Sequence, residues 1–180
     1  MIGTLVERQI VAFEKQLGES GDWMRDLFAA SRSAFFKFAM FLPLSKHRTA
    51  APVELAHIAR IAASASEDCG PCLNTTVRFA LFEGVDRRTV HAAATGQTGL
   101  LSPDGQLVWR FATAVAMRAP EATDLAEEVE QRLGRRVQVD LALAIATTRV
   151  FPTMKRALGY AQSCAVTPLA LENETDRHAA

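Results

Sequence analysis

The sequence has no excess charge of either sign, and this absence excludes one class of function. Of its 180 residues, 20 are Lys or Arg and 20 are Asp or Glu, so the formal net charge is zero. Nucleic-acid-binding proteins usually show a basic excess or a basic stripe. The net charge gives no reason to expect an anionic membrane surface as a partner either. We therefore expect neither a nucleic acid nor a membrane among the partners.

Long apolar runs are also missing. The most apolar stretch, 34–44, contains Lys37 and Pro43 and is shorter than the ~20 residues that span a bilayer. The first ten residues include Glu7 and Arg8 and do not resemble a signal peptide. These features predict a cytoplasmic protein whose three cysteines rest as thiols. In that compartment a close cysteine pair is more often catalytic or metal-binding than structural.

The sequence contains no alternating strand pattern and no repeat of a solenoid period, whereas apolar residues recur at helical spacing. This pattern predicts an all-α fold. Helices are expected over about 5–17, 22–40, 52–63, 69–83, 86–94, 107–117, 123–134 and 137–161. Pro43 should end the second helix, and Pro152 should kink the last one or mark a join between two helices. We divide the chain into an N-terminal helical arm (1–45), a single domain (46–168) and a polar tail (169–180).

The unusual segment of the chain is Ser66-Glu67-Asp68-Cys69-Gly70-Pro71-Cys72. Cysteines three apart lie on one face of a helix, and in the first turn their sulfurs can come within bonding distance. Free backbone N–H groups at a helix N-terminus favour the thiolate, which is the reactive form. Pro71 is tolerated in a first turn. Ser64 to Glu67 also matches a capping box, which would start the helix several residues earlier. The segment predicts a redox-active pair, Cys69 and Cys72.

Other interpretations of the pair find less support. Cys-Gly-Pro-Cys is the active-site tetrapeptide of thioredoxins, but that fold needs a preceding strand, and 55–63 is alanine-rich and helical. A zinc site would need two more ligands from Cys164 and four scattered histidines, without a second CxxC or an HxxxH. The third alternative is two core cysteines that happen to lie three apart. Glu67 and Asp68 would partly oppose thiolate formation.

With these neighbours, the segment resembles the carboxymuconolactone decarboxylase and alkylhydroperoxidase-D-like family. The similar features are a helix before the pair, an alanine-rich helix after it, Gly84-Val85-Asp86 opening the next helix, and 144–164 as the final helix. The resemblance covers about 53–164, and the cysteine region is its specific part. It implies an alkylhydroperoxidase-D-like helical domain that associates into dimers, trimers or hexamers.

The resemblance also implies reduction of a peroxide or disulfide substrate without a metal, haem or flavin. In the peroxidase members the second cysteine, here Cys72, attacks the peroxide and becomes a sulfenic acid. The first, here Cys69, then condenses with it to form a disulfide. A separate dithiol electron donor restores the pair by exchange. The decarboxylase members do not rely on a cysteine pair, and we rank that activity low.

Two relay positions of the family carry different residues here. The family usually has a glutamate twelve residues before the first cysteine, and His57 occupies that position here. It usually has a histidine four residues after the second cysteine, and Thr76 occupies that position. His57 is itself a candidate base, since its unperturbed pKa lies near 6.5. Glu67 or Glu54 could replace the carboxylate, and Thr76 could donate to the Cys72 thiolate. The rival hypothesis is a catalytically faded oligomeric member with a ligand-binding or interaction role.

Residues outside the motif are expected to be structural. Arg149 and Lys155 on the last helix are predicted to lie on a solvated face; the alternative is a charge that faces the cysteine site across a subunit boundary. Cys164 is predicted to be buried or in a subunit contact, and so are the bunched phenylalanines of 35–41.

Overall fold

The computed structural model describes residues 2–160, and within that range the chain is helical and contains no strand. The arm contains α1 (Ile2–Leu17), α2 (Asp22–Ala30), α3 (Arg32–Ala39) and α4 (Leu42–Ser45). The domain contains α5 (Val53–Ala65), α6 (Gly70–Phe82), α7 (Arg87–Thr95), α8 (Pro103–Met117), α9 (Ala122–Leu133) and α10 (Arg135–Ala157), with a 3₁₀ turn at Thr98–Leu100. The predicted all-α class is confirmed. Cys164 and the predicted tail lie outside the described residues.

Helix α5 lies at the centre of the core. It packs against α6, α7, α8 and α10, and residues on every side of it are buried. Alanines at 56, 59, 62 and 63 let the neighbouring helices approach closely, while Ile58 and Ile61 are completely buried. Packing on all sides therefore fixes the direction of α5 and the place where the chain leaves it.

A buried carboxylate connects α10 to the segment that precedes α5. Asp140 Oδ2 accepts hydrogen bonds from the backbone N–H groups of Thr49 (2.8 Å), Ala50 (2.6 Å) and Ala51 (2.9 Å). Burial alone would raise the pKa of Asp140. The three hydrogen bonds outweigh it, however, and the pKa falls to about 2. The entry of the chain into α5 is thereby fixed to α10.

The arm packs on the domain in two places. Helix α1 contacts α6, and α4 contacts α10. The rings of Phe38 and Phe41 meet that of Phe151 on α10, with centroid separations of 5.7 and 5.9 Å. Within residues 2–160, no helix has both the length and the apolar character needed to cross a membrane.

Several predicted boundaries are right. Gly84 follows the end of α6 with a positive φ of 83°, and the Val85 N–H donates to the Ala80 carbonyl at 3.0 Å. Asp86 caps α7, because its side chain accepts from the N–H groups of Arg88 and Thr89.

Three predictions near helix ends need correction. The helix expected over 22–40 is interrupted at Ser31, whose backbone is extended and whose side chain caps α3. Pro43 does not end a helix; it lies in the first turn of α4, where its missing N–H costs nothing. Pro152 does not mark a join between two helices, because it is buried inside α10 and the helix continues on both sides of it.

We expect Asp140→Asn to lower the free energy of unfolding at pH 7 by about 2–4 kcal/mol, because an amide is a weaker acceptor for buried N–H groups. The folded carboxyl has a pKa of about 2, below its ordinary 3.8. The stability it adds is therefore complete above pH 3.8 and is lost as the pH falls towards 2. Urea unfolding of wild type and variant across this range measures both effects.

The matched control is Asp124→Asn, which changes an exposed carboxylate in the first turn of α9. It should alter the free energy of unfolding by less than about 0.5 kcal/mol. The stabilising role of Asp140 is contradicted if both variants have the same free energy of unfolding at pH 7. It is also contradicted if Asp140→Asn loses as much unfolding free energy at pH 2 as at pH 7.

Candidate redox site

The turn between α5 and α6 positions the two cysteines. Cys69 is the N-cap of α6, and its carbonyl accepts from the N–H groups of Cys72 and Leu73, each at 3.0 Å. Pro71 lies in the first turn, where a proline costs no helical hydrogen bond. The predicted start of a helix at the pair is therefore observed.

Cys69 and Cys72 are joined in a disulfide, with their Cα atoms 5.3 Å apart. This separation lies inside the usual range of about 4.4–6.8 Å. The thiols predicted from the sequence are not what the structure contains. The geometry of the first turn brings the two sulfurs together, and the pair is in the oxidised form. Cys69 is 1% exposed and Cys72 is 6% exposed, so Cys72 is the more accessible partner.

The turn itself has a left-handed residue. Asp68 has a φ of 49°, a conformation that Asp adopts more readily than most residues because its short side chain can bond locally. Ser66 donates its hydroxyl to the Ala62 carbonyl at 2.9 Å and so extends the end of α5. The earlier helix start suggested by a capping box at Ser64 is wrong, since Ser64 lies within α5 and α6 begins at Gly70.

Glu67, two residues before Cys69, is anchored by two arginines of α10. Its carboxylate accepts from Arg149 Nε, and its backbone carbonyl accepts from Arg156 Nη2 at 2.5 Å. Arg156 Nη1 also lies 3.7 Å from the carboxylate. Glu67 is only 9% exposed, so these contacts hold the turn in place. They also compensate a negative charge that would otherwise oppose a thiolate at the pair.

His57, a residue of α5, lies beside the C-terminal end of α6, whereas the cysteine pair lies at the N-terminal end of α6. Its ring is buried, and Nε2 is 3.1 Å from the carboxylate of Glu83. Glu83 is eleven residues beyond Cys72, roughly 16 Å along a helix that rises 1.5 Å per residue. Burial lowers the pKa of His57 more than the hydrogen bond to Glu83 raises it, which favours the neutral imidazole. The structure does not bring this candidate base to the sulfurs.

The other two candidates do not contact the sulfurs either. Thr76 donates its hydroxyl to the Cys72 carbonyl at 2.9 Å, so its proton is directed to the backbone. Glu54 lies near Ser102, whose hydroxyl is 3.5 Å away. Of the predicted site residues, only Glu67 shares the turn with the pair.

An open recess of about 410 Å³ borders this turn. Its lining residues come from the turn and from the ends of α8 and α10: Ser66, Glu67, Asp68, Ala116, Met117, Arg118, Arg149 and Arg156. Three guanidinium groups and two carboxylates therefore line the recess, and two of the guanidinium groups contact Glu67. Among residues 2–160, no group of three or more His, Cys, Asp or Glu side chains is close enough to hold a metal ion.

The structure corrects the prediction that Arg149 and Lys155 of α10 lie on a solvated face. Arg149 reaches Glu67, a partner 82 residues away. Lys155 is 7% exposed, and its ammonium lies 5.9 Å from the centre of the Trp23 ring. Burial lowers the pKa of Lys155, although the nearby charge of Glu19 counteracts this. The side chain is buried because the arm covers this part of α10.

Comparison with known proteins assigns no family: no family model, curated protein or solved structure matches this chain. The family identified from the residues around the pair is therefore a resemblance, and its activity is a proposal.

We expect Glu67→Gln to lower the pKa of the more reactive thiol of the reduced pair by about 0.5–1 unit. The variant removes a negative charge and leaves Arg149 and Arg156 uncompensated. His57→Ala should leave that pKa unchanged, because the ring lies at the far end of α6. Both are measured from the pH dependence of alkylation by iodoacetamide, with Cys164→Ser as the background.

Glu54→Gln makes the same chemical change away from the turn and should behave like the background protein. Slower alkylation in His57→Ala would instead restore His57 as the base. An unchanged thiol pKa in Glu67→Gln would show that its charge does not reach the pair.

Proposed function

We propose that this chain is a thiol-dependent oxidoreductase that reduces peroxides or disulfides with Cys69 and Cys72. The observation that carries the proposal is the disulfide across the first turn of α6, with Cys69 as the N-cap. A pair whose Cα atoms are 5.3 Å apart can open and close without displacement of the helix. The positive end of the helix dipole at the same turn favours the thiolate over the thiol.

In the proposed cycle, the Cys72 thiolate attacks the distal oxygen of a peroxide, ROOH. The O–O bond breaks, Cys72 becomes a sulfenic acid, and the leaving RO⁻ takes a proton from solvent. The Cys69 thiol then attacks the sulfenic sulfur, which forms the disulfide and releases water. An external dithiol reduces the disulfide by exchange and is itself oxidised. Each turnover therefore consumes one peroxide and one dithiol and yields an alcohol, water and a disulfide.

The assignment of roles is taken from the family resemblance. Both cysteines are buried, and the exposed fraction of 6% for Cys72 against 1% for Cys69 is compatible with Cys72 as the attacking residue. The recess lined by Glu67, Arg118 and Arg149 lies beside the turn, although neither cysteine lines it. Two arginines compensate the negative charge of Glu67, which would otherwise oppose a thiolate.

Membership of the alkylhydroperoxidase-D-like family is part of this proposal. It is supported by the order of features along the chain: a buried helix α5, a cysteine pair at the start of α6, and Gly84 to Asp86 leading into α7. A cytoplasmic homo-oligomer with a dithiol donor is what the same resemblance implies.

A second candidate is a catalytically faded member that binds a ligand or partner. The observation that favours it is the position of His57, which is hydrogen-bonded to Glu83 and leaves the pair without a contacting base among the described residues. In that case the disulfide would be a structural link between the turn and α6.

We expect the chain to consume a small organic hydroperoxide in the presence of dithiothreitol, and Cys72→Ser to abolish this consumption. Treated with hydroperoxide in the absence of dithiothreitol, Cys69→Ser should stop at the sulfenic acid, because it retains the attacking thiol and lacks the resolving one. Dimedone labelling followed by peptide mass spectrometry should then find the sulfenic acid on Cys72. All three proteins carry Cys164→Ser, which removes the third thiol.

Sulfenic acid on Cys69 in the Cys72→Ser protein, with none on Cys72 in Cys69→Ser, would reverse the two roles. If the protein consumes no peroxide, exchange with a small-molecule disulfide is measured next against dithiothreitol alone. Absence of both activities would refute the oxidoreductase and favour the faded member.

A further inference from the structure

The zero net charge conceals a segment of one sign. Residues 27–53 contain Arg32, Lys37, Lys46 and Arg48, and they contain no Asp or Glu. This segment covers all of α3 and α4. The average over the chain therefore does not describe this segment, which has four Lys or Arg residues and no acidic one.

The same segment exposes large apolar side chains. Phe36 is 44% exposed, Met40 76%, Leu42 43% and Leu44 44%. Phe36 and Met40 are four residues apart, so they lie on the same side of α3. Neither α3 nor α4 contains a buried residue. We call Phe36, Met40, Leu42 and Leu44 the arm surface.

Contacts on the opposite side hold the arm surface outward. Phe38 packs edge-on against Trp23 and Phe151, with ring centroids 5.7 Å away in each case. Phe36 is itself supported by the rings of Phe28 and Phe35, at 6.1 and 5.6 Å. Because the inner rings are fixed in this way, the apolar side chains of α3 cannot turn into the core without breaking those contacts.

We propose that the arm surface binds the surface of an anionic lipid bilayer. Apolar side chains flanked by Lys and Arg characterise segments that lie in the plane of the interface, with the apolar groups at the acyl boundary and the cations among the headgroups. Lys37 lies beside Phe36, and Lys46 directly follows α4. The contact is peripheral and does not depend on the proposed redox function.

A second copy of the chain fits this surface less well. A two-fold symmetric contact would place the segment against itself, with four basic side chains facing four of the same sign. A contact with the acidic helix α9 would match the charge. None of the exposed large apolar residues in the described part of the chain lies on α9, however, so the arm surface would have no apolar partner there. A bilayer offers negative charge and an apolar layer together.

The test is co-sedimentation of the full chain with vesicles of phosphatidylcholine, alone or mixed with phosphatidylglycerol. We expect binding to the mixed vesicles only, and release in 1 M salt, where the Debye length is about 3 Å. Phe36→Asp/Met40→Asp should weaken the binding by about tenfold or more. Lys37→Glu/Lys46→Glu should weaken it as well, whereas Phe82→Asp, at another residue that is 72% exposed, should not.

Thermal melting followed by circular dichroism distinguishes a loss of binding from a loss of fold in each variant. If Phe36→Asp/Met40→Asp melts at a lower temperature than wild type, Met40→Asp alone takes its place. The proposal is overturned if wild type binds neither vesicle, if it binds both equally, or if Phe82→Asp is as impaired as the arm variants. It is also overturned if light scattering finds an oligomer that Phe36→Asp/Met40→Asp dissociates, since a second copy would then cover the arm surface.

Discussion

The burial of α5 on every side is the constraint on which the rest of this structure depends. A helix that packs against α6, α7, α8 and α10 at once cannot rotate or slide without disrupting several interfaces. Its alanines make this possible, because they let the neighbouring backbones come close. Once α5 is fixed, the chain must leave it near Ala65, and the cysteine pair follows within a few residues.

Helix α10 then fixes the chain at both ends of α5. Asp140 holds the segment that enters α5, and Arg149 and Arg156 hold the turn that leaves it. Asp140 and Arg156 are 16 residues apart, roughly 24 Å along α10, and the 13 residues of α5 span roughly 20 Å. The two helices therefore run side by side in the same direction. Polar contacts at the ends determine the register, while apolar packing between them supplies most of the stability.

In the proposed function, the reactivity of the cysteine pair depends on these anchors more than on a neighbouring acid or base. The helix start favours a thiolate, the arginines compensate Glu67, and the predicted relay residue His57 is directed towards Glu83. The histidine at the family's relay position in the sequence therefore does not contact the sulfurs in the folded chain. The side chain leans towards the N-terminus of its own helix, and in α5 that direction leads away from the cysteines.

Features that arise within about one helical turn could be predicted from the sequence alone. These are the helical class, the N-cap of α6 at Cys69, the glycine after α6 at Gly84 and the cap of α7 at Asp86, since each depends on local backbone conformation and neighbouring N–H groups. The segregated charge of 27–53 is also visible in the sequence but is lost in the average. The Arg149–Glu67 contact and the burial of Lys155 are visible in the folded chain alone. Those features depend on which helices meet, and that choice is made by packing between residues far apart in the chain.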